Sequence, residues 1–101
     1  MARRGSSGRA RLTDMPRVTM YATGTCPYCH RAEALLRSKG VAEPELELIR
    51  VDEFPQRRQE MMSRSGRRTV PQIWIGERHV GGCDDLHALD SAGELDAMLA
   101  A

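Results

Sequence analysis

The sequence predicts an α/β fold: a four-stranded mixed sheet flanked by helices. Three observations predict it. Residues 17–22 alternate in strand fashion and give way from Pro27 to helical spacing. A second strand-like run at 45–51 is followed by a shorter helical stretch, so the chain opens β-α-β-α, and the parallel pair this implies needs a crossover helix. Two short apolar runs then flank Gly76, Glu77 and Arg78, which reads as a hairpin.

In the first strand Val18, Met20 and Ala22 share one face, and Thr19 and Tyr21 share the other. From Pro27, Cys29, Ala32 and Leu36 fall on one helical stripe, Leu35 widens it, and Gly40 after Lys39 is a stop signal. That spacing predicts a helix of about three turns. Leu46, Leu48, Ile49 and Val51 mark the second strand, and Phe54 to Arg64 reads as a helix with Phe54, Met61 and Met62 turned inward and Gly66 as its stop. Gln72 to Ile75 and the short run at His79 and Val80 form the hairpin. After Gly81 and Gly82, Asp84 and Asp85 favour a helix start, and Leu86, Leu89, Leu95, Met98 and Leu99 predict one helix or two, interrupted near Gly93.

Composition narrows the function. A chain of 101 residues can fold on one core and has no room for a second catalytic domain. Its 15 basic against 14 acidic residues, a net charge of +1, argue against a nucleic-acid binder that lives on phosphate contacts. No apolar run approaches the roughly 18 residues of a membrane span, and no hydrophobic signal core follows the N-terminus, so neither export nor insertion is expected. The odd set Cys26, Cys29 and Cys83 suits a disulfide-stapled secreted scaffold poorly and a reactive or metal-binding thiol pair in a reducing compartment better; a cytoplasmic protein is expected.

The charge is unevenly placed. Residues 1–14 set Arg3, Arg4, Arg9 and Arg11 against Asp14, with Gly5, Ser6, Ser7 and Gly8 between the arginines and Leu12 as the one large aliphatic residue. Such a segment buries too little surface to offset its ordering entropy and is expected to be a disordered tail, dispensable for function, ahead of a domain at 15–101. Its composition also fits an organelle-targeting leader or a weak contact for anionic partners; the simpler expectation is plain disorder, or an upstream start with Met15 opening the working chain.

Cys26-Pro27-Tyr28-Cys29 lies where the first strand hands over to the first helix, and that position is more informative than the four letters alone. Unpaired amides and the helix dipole favour an anion there, so Cys26 is expected to be the nucleophile. Cys29 sits one turn further in on the apolar stripe, shielded and protonated, as the resolving thiol. Pro27 fixes the first turn without sacrificing a hydrogen bond, and Tyr28 reads either as a flank of the site for a small thiol ligand or as a partly exposed aromatic.

From Arg17 onward the chain resembles the dithiol glutaredoxins, and within them the small bacterial class-3 type. The resemblance rests on Cys26-Pro27-Tyr28-Cys29, Thr69-Val70-Pro71-Gln72-Ile73 and Gly81-Gly82-Cys83-Asp84-Asp85-Leu86, three blocks in the family's order and spacing that span essentially the whole folded part. It implies a thioredoxin-like fold and glutathione-dependent reduction of protein disulfides and glutathione mixed disulfides, with glutathione as cosubstrate and no metal. It also implies a cis Val70-Pro71 bond, with Thr69, Val70 and Pro71 docking the cysteinyl part of glutathione as an added strand would. Gly82, Cys83 and Asp84 would then receive the γ-glutamyl end at a helix start, Asp84 meeting its amino group, while Asp85 reads as a helix-start acid.

Many family members carry a lysine three residues before the first cysteine; here Thr23 stands in that place. The chain has one lysine, Lys39, against 14 arginines, and Arg67 and Arg68 beside Thr69 are the nearest substitutes in sequence for binding a carboxylate. Cys83 itself reads as packed or in backbone contact, and His30, His79, His87 and Trp74 as structural. A zinc quartet of Cys26, Cys29, His79 and Cys83 is disfavoured by spacing, and a cluster-bridged dimer by Pro27, which is atypical of cluster-binding members. A thioredoxin-type donor driven by a flavin reductase is the nearest alternative within the fold. The expected partners are glutathione and disulfide-bonded or glutathionylated proteins, with no nucleic acid and no membrane, and the protein itself is expected to be a monomer.

Overall fold

A computed structural model describes residues 17–100, and the tail expected at 1–14 lies outside the described residues. The elements run β1 (Val18–Ala22), α1 (Pro27–Ser38), β2 (Leu46–Arg50), α2 (Pro55–Ser65), β3 (Gln72–Ile75), β4 (Arg78–Gly81), α3 (Cys83–Ser91) and α4 (Leu95–Ala100). The sheet order is β2-β1-β3-β4. β1 pairs parallel with β2, Val18 opposite Leu46, and antiparallel with β3, Val18 opposite Ile75. β3 and β4 form the antiparallel hairpin, with a bulge where Ile73 faces Gly81 but Trp74 faces His79, leaving Val80 as the extra residue.

The alternation in β1 sorts its side chains onto two cores. Val18, Met20 and Ala22 join Cys29, Ala32 and Leu36 of α1, Cys83 and Leu86 of α3, and Leu95 and Leu99 of α4. Tyr21, on the opposite face, meets Ile49, Val51, Met61 and Trp74 under α2. Helices therefore cover both faces, as the crossover argument requires. The Lys39 ammonium ties the end of α1 to Asp90 at 2.8 Å and Asp96 at 3.0 Å, clasping the helical layer together.

One expectation fails. Phe54 is 49% exposed rather than turned inward, because it is the N-cap of α2, with φ −131° and ψ 88°, and precedes the helical stripe instead of belonging to it. Met61 alone among the α2 residues is buried, with Met62 partly covered beside it. The C-terminal region resolves into two helices, α3 and α4, broken at Gly93, whose φ of +76° only a glycine adopts without strain.

Both parallel strands end at the same edge of the sheet, and the loops leaving them meet there. Arg50, at the end of β2, forms a two-pronged pair with Asp52 at 2.9 and 2.8 Å. Asp52 in turn accepts the Gly24 N–H at 3.2 Å. A Cβ on residue 24 would come within 2.2 Å of the Arg50 guanidinium, so the glycine lets the arginine lie across the loop that leads to Cys26.

Candidate active site

Cys26 is the N-cap of α1, in extended backbone with φ −96° and ψ 110°. Its sulfur accepts the Cys29 N–H at 3.1 Å, occupying the place that a serine or aspartate oxygen takes at an ordinary helix start. Pro27 supplies no N–H to compete, and the first turn of α1 contains no acid to repel a negative sulfur. The Cys26 sulfur is also 3.9 Å from the carbonyl oxygen of Val70, on the loop entering β3.

Cys29 is 1% exposed, packed into the α1 face of the core. Burial, and then the neighbouring Cys26 sulfur, push its thiol well above the ordinary range, so it is protonated at neutral pH. Cys83 is 4% exposed, and burial raises its thiol as well. All three cysteines are free.

Beside Cys26 lies a depression of about 220 Å³ lined by Tyr28, Thr69, Val70, Pro71, Gly82, Cys83 and Asp84, together with Arg67 and Asp85. Every one of the seven residues that the sequence assigns to glutathione lines this one space. Tyr28 is 55% exposed along it, with the Arg31 guanidinium 5.8 Å from its ring centre. The Val70-Pro71 bond is cis.

The floor near α3 is built by Asp85. Its carboxylate accepts the Gly82 N–H at 2.9 Å and the Arg67 guanidinium at 3.2 Å. The Gly82 amide, then the guanidinium, hold its carboxyl below the ordinary carboxylate range. Gly81 has φ +117°, and a Cβ there would lie 2.3 Å from that carboxylate; the carboxylate needs the space the glycine leaves. Asp85 is thus occupied as a cap, and Asp84 remains as the acid lining the depression without that duty.

The cation expected to stand in for the lysine divides between two arginines. Arg67 lines the depression, paired to Asp85. Arg68 is exposed and outside the lining, its carbonyl accepting from Arg58 at 3.4 Å. Arg50, not anticipated from the sequence, reaches over Gly24 beside Thr23 but is already paired with Asp52 and with Glu53 at 3.5 Å. A Gly24 opposite a strand-end arginine was the available signal, and only the parallel pairing of β1 with β2 makes it readable.

His79, Trp74 and Gln72 lie on the α2 side of the sheet. The His79 ring stacks on Trp74 at 4.5 Å between centroids, and the Arg64 guanidinium sits 4.2 Å from the Trp74 ring. Among the described residues no group of three or more His, Cys, Asp or Glu side chains is placed to hold a metal ion. No described helix is long and apolar enough to cross a membrane.

Comparisons with known proteins point to one family. The Glutaredoxin family model matches residues 18–80. The chain is 56% identical over 87 residues to a protein of Pseudomonas aeruginosa named Glutaredoxin, covering 86% of this chain and 100% of that one. It is likewise 56% identical over 85 residues to Glutaredoxin 3 of Escherichia coli K12, covering 84% and 99%. Among solved structures, glutaredoxin from Brucella melitensis superposes with a TM-score of 0.71 at 50% identity, over 84% of this chain and 89% of that one. A buckwheat glutaredoxin-glutathione complex superposes with a TM-score of 0.77 at 27% identity, over 89% and 82%.

Proposed function

Because the chain belongs to the glutaredoxin family, and so to the glutathione-dependent thiol-disulfide oxidoreductases, we propose that Cys26 is its attacking sulfur and Cys29 its resolving thiol. Tyr28, Thr69, Val70, Pro71, Gly82, Cys83 and Asp84 then hold glutathione. The observation that carries this reading is the Cys26 sulfur capping α1, 3.1 Å from the Cys29 amide and 3.9 Å from the Val70 carbonyl. A group that must be an anion to attack sits where backbone N–H groups converge, beside a strand-like edge on which a peptide can lie.

The cycle follows from the chemistry of exchange. The Cys26 thiolate attacks the glutathionyl sulfur of a glutathionylated protein. A Cys26–glutathione disulfide forms, the protein–glutathione disulfide breaks, and the protein thiolate leaves and takes up a proton. A second glutathione thiolate attacks the bound glutathionyl sulfur, releasing glutathione disulfide and restoring Cys26. With a protein disulfide, the mixed disulfide joins Cys26 to the substrate, and Cys29 gives up its proton and attacks the Cys26 sulfur. The substrate leaves as a dithiol, and two glutathiones reduce the Cys26–Cys29 disulfide in succession.

The docking roles follow the lining. The cysteinyl part of glutathione pairs with the Val70 backbone, the γ-glutamyl carboxylate meets the amides at the start of α3 with Asp84 at its amino group, and Arg67 faces the glycyl carboxylate. Substrates are disulfide-bonded or glutathionylated proteins, the working domain is 15–101, and the protein acts as a monomer in the cytoplasm, where its three free thiols stay reduced.

The test is a Cys29→Ser chain carrying glutathione on Cys26, compared with its reduced form by amide NMR. The largest shifts should fall at Val70, Gly82, Cys83 and Asp84. An adduct that leaves these four unmoved while shifting amides elsewhere refutes the docking reading.

A further inference from the structure

Gln72 is the only buried amide or charged side chain among the described residues, with no measurable exposure. A buried carboxamide left without partners is costly, so what it bonds to is informative. Its Nε2 donates to the Thr69 carbonyl at 3.1 Å and to the Thr69 hydroxyl oxygen at 3.2 Å. Its Oε1 lies 2.8 Å from His79 Nε2.

These contacts leave one self-consistent assignment. Turning the amide over would set its oxygen against the Thr69 carbonyl, two acceptors face to face. The nitrogen therefore belongs to Thr69, the oxygen faces His79, and His79 must carry its proton on Nε2. The hairpin register sets His79 opposite Trp74, and the Trp74 ring stacks against the imidazole.

The chain of bonds ends next to the reacting sulfur. Thr69 precedes Val70, whose carbonyl is 3.9 Å from Cys26 Sγ. We propose that His79 is a positioning residue for the thiol exchange: by donating to Gln72 it fixes the Thr69–Val70 segment against which glutathione docks. This rests on the reading above that the Val70 backbone receives the cysteinyl part. His79 touches neither thiol nor substrate; it acts through Gln72 alone.

Steady-state turnover of a glutathionylated peptide tests it. His79→Leu should raise KM about fivefold, the loss of one net hydrogen bond, with kcat within about twofold. His79→Gln, which returns an N–H donor at similar reach, should restore KM. Gln72→Leu should reproduce the rise, and the double variant should be no worse than either single one, because both break the same relay. Circular dichroism and the thermal midpoint identify a misfolded variant, and the His79→Gln rescue is then the deciding comparison. Unchanged KM in folded His79→Leu and Gln72→Leu overturns the role of His79, as does equal KM in the leucine and glutamine variants at 79. If the Val70 amide shifts in the glutathione adduct while KM ignores His79, only the relay fails. If Val70 does not shift, the docking of the cysteinyl part on Val70 falls and takes the relay with it.

Discussion

Cys26→Ser is expected to lower glutathione-coupled disulfide reductase activity by roughly a thousandfold or more, to the level of the uncatalysed exchange. The reason is chemical rather than structural. A serine oxygen cannot form the mixed disulfide through which both branches of the cycle pass, and its hydroxyl does not ionise in the working range. The substitution keeps the fold as a control, because serine is among the preferred N-cap residues and its oxygen can accept the Cys29 N–H that the Cys26 sulfur accepts at 3.1 Å. The thermal midpoint should therefore hold or rise while activity disappears. Retained turnover in a folded Cys26→Ser chain would remove Cys26 from the mechanism.

Cys29→Ser is expected to separate the two branches. Deglutathionylation of a peptide needs only Cys26 and a second glutathione, so its rate should stay within severalfold of the native chain. Reduction of a protein disulfide that requires intramolecular resolution should fall by at least about a hundredfold, since the mixed disulfide then waits for glutathione to reach it from solution. Cys29 suits this division because it is buried on the α1 stripe with its thiol protonated, available for the second step and withdrawn from the first. Equal losses in both assays would mean that Cys29 takes part in the first attack, which the burial at 1% exposure opposes.

Much of this site was legible from local pattern. The change from alternation at Val18–Ala22 to helical spacing at Cys29, Ala32 and Leu36 marks Cys26 as a helix start, because periodicity is set by neighbours in the chain. The helix start after Gly81 and Gly82 was readable for the same reason, although what fills the space beside Gly81, the Asp85 carboxylate, was not. Phe54 was misread because an apolar residue one position outside a helix looks like the first residue of its stripe.

What could not be read depends on register across the sheet. Arg50 reaches Gly24 only because β1 and β2 run parallel with Ala22 opposite Arg50. His79 meets Gln72 because the hairpin register sets it opposite Trp74, on the sheet face that Gln72 shares. Neither follows from spacing along the chain, since a one-residue slip would turn the same side chains to the other face.

The central claim is that one sulfur, at the amide-rich end of α1, does the attacking while the other two are shielded. Brief treatment of the reduced native chain with substoichiometric iodoacetamide at neutral pH, followed by peptide mass mapping, tests it directly. Label should appear on Cys26 first, with Cys29 and Cys83 modified only after unfolding. Label appearing on Cys29 or Cys83 as fast as on Cys26 would contradict it.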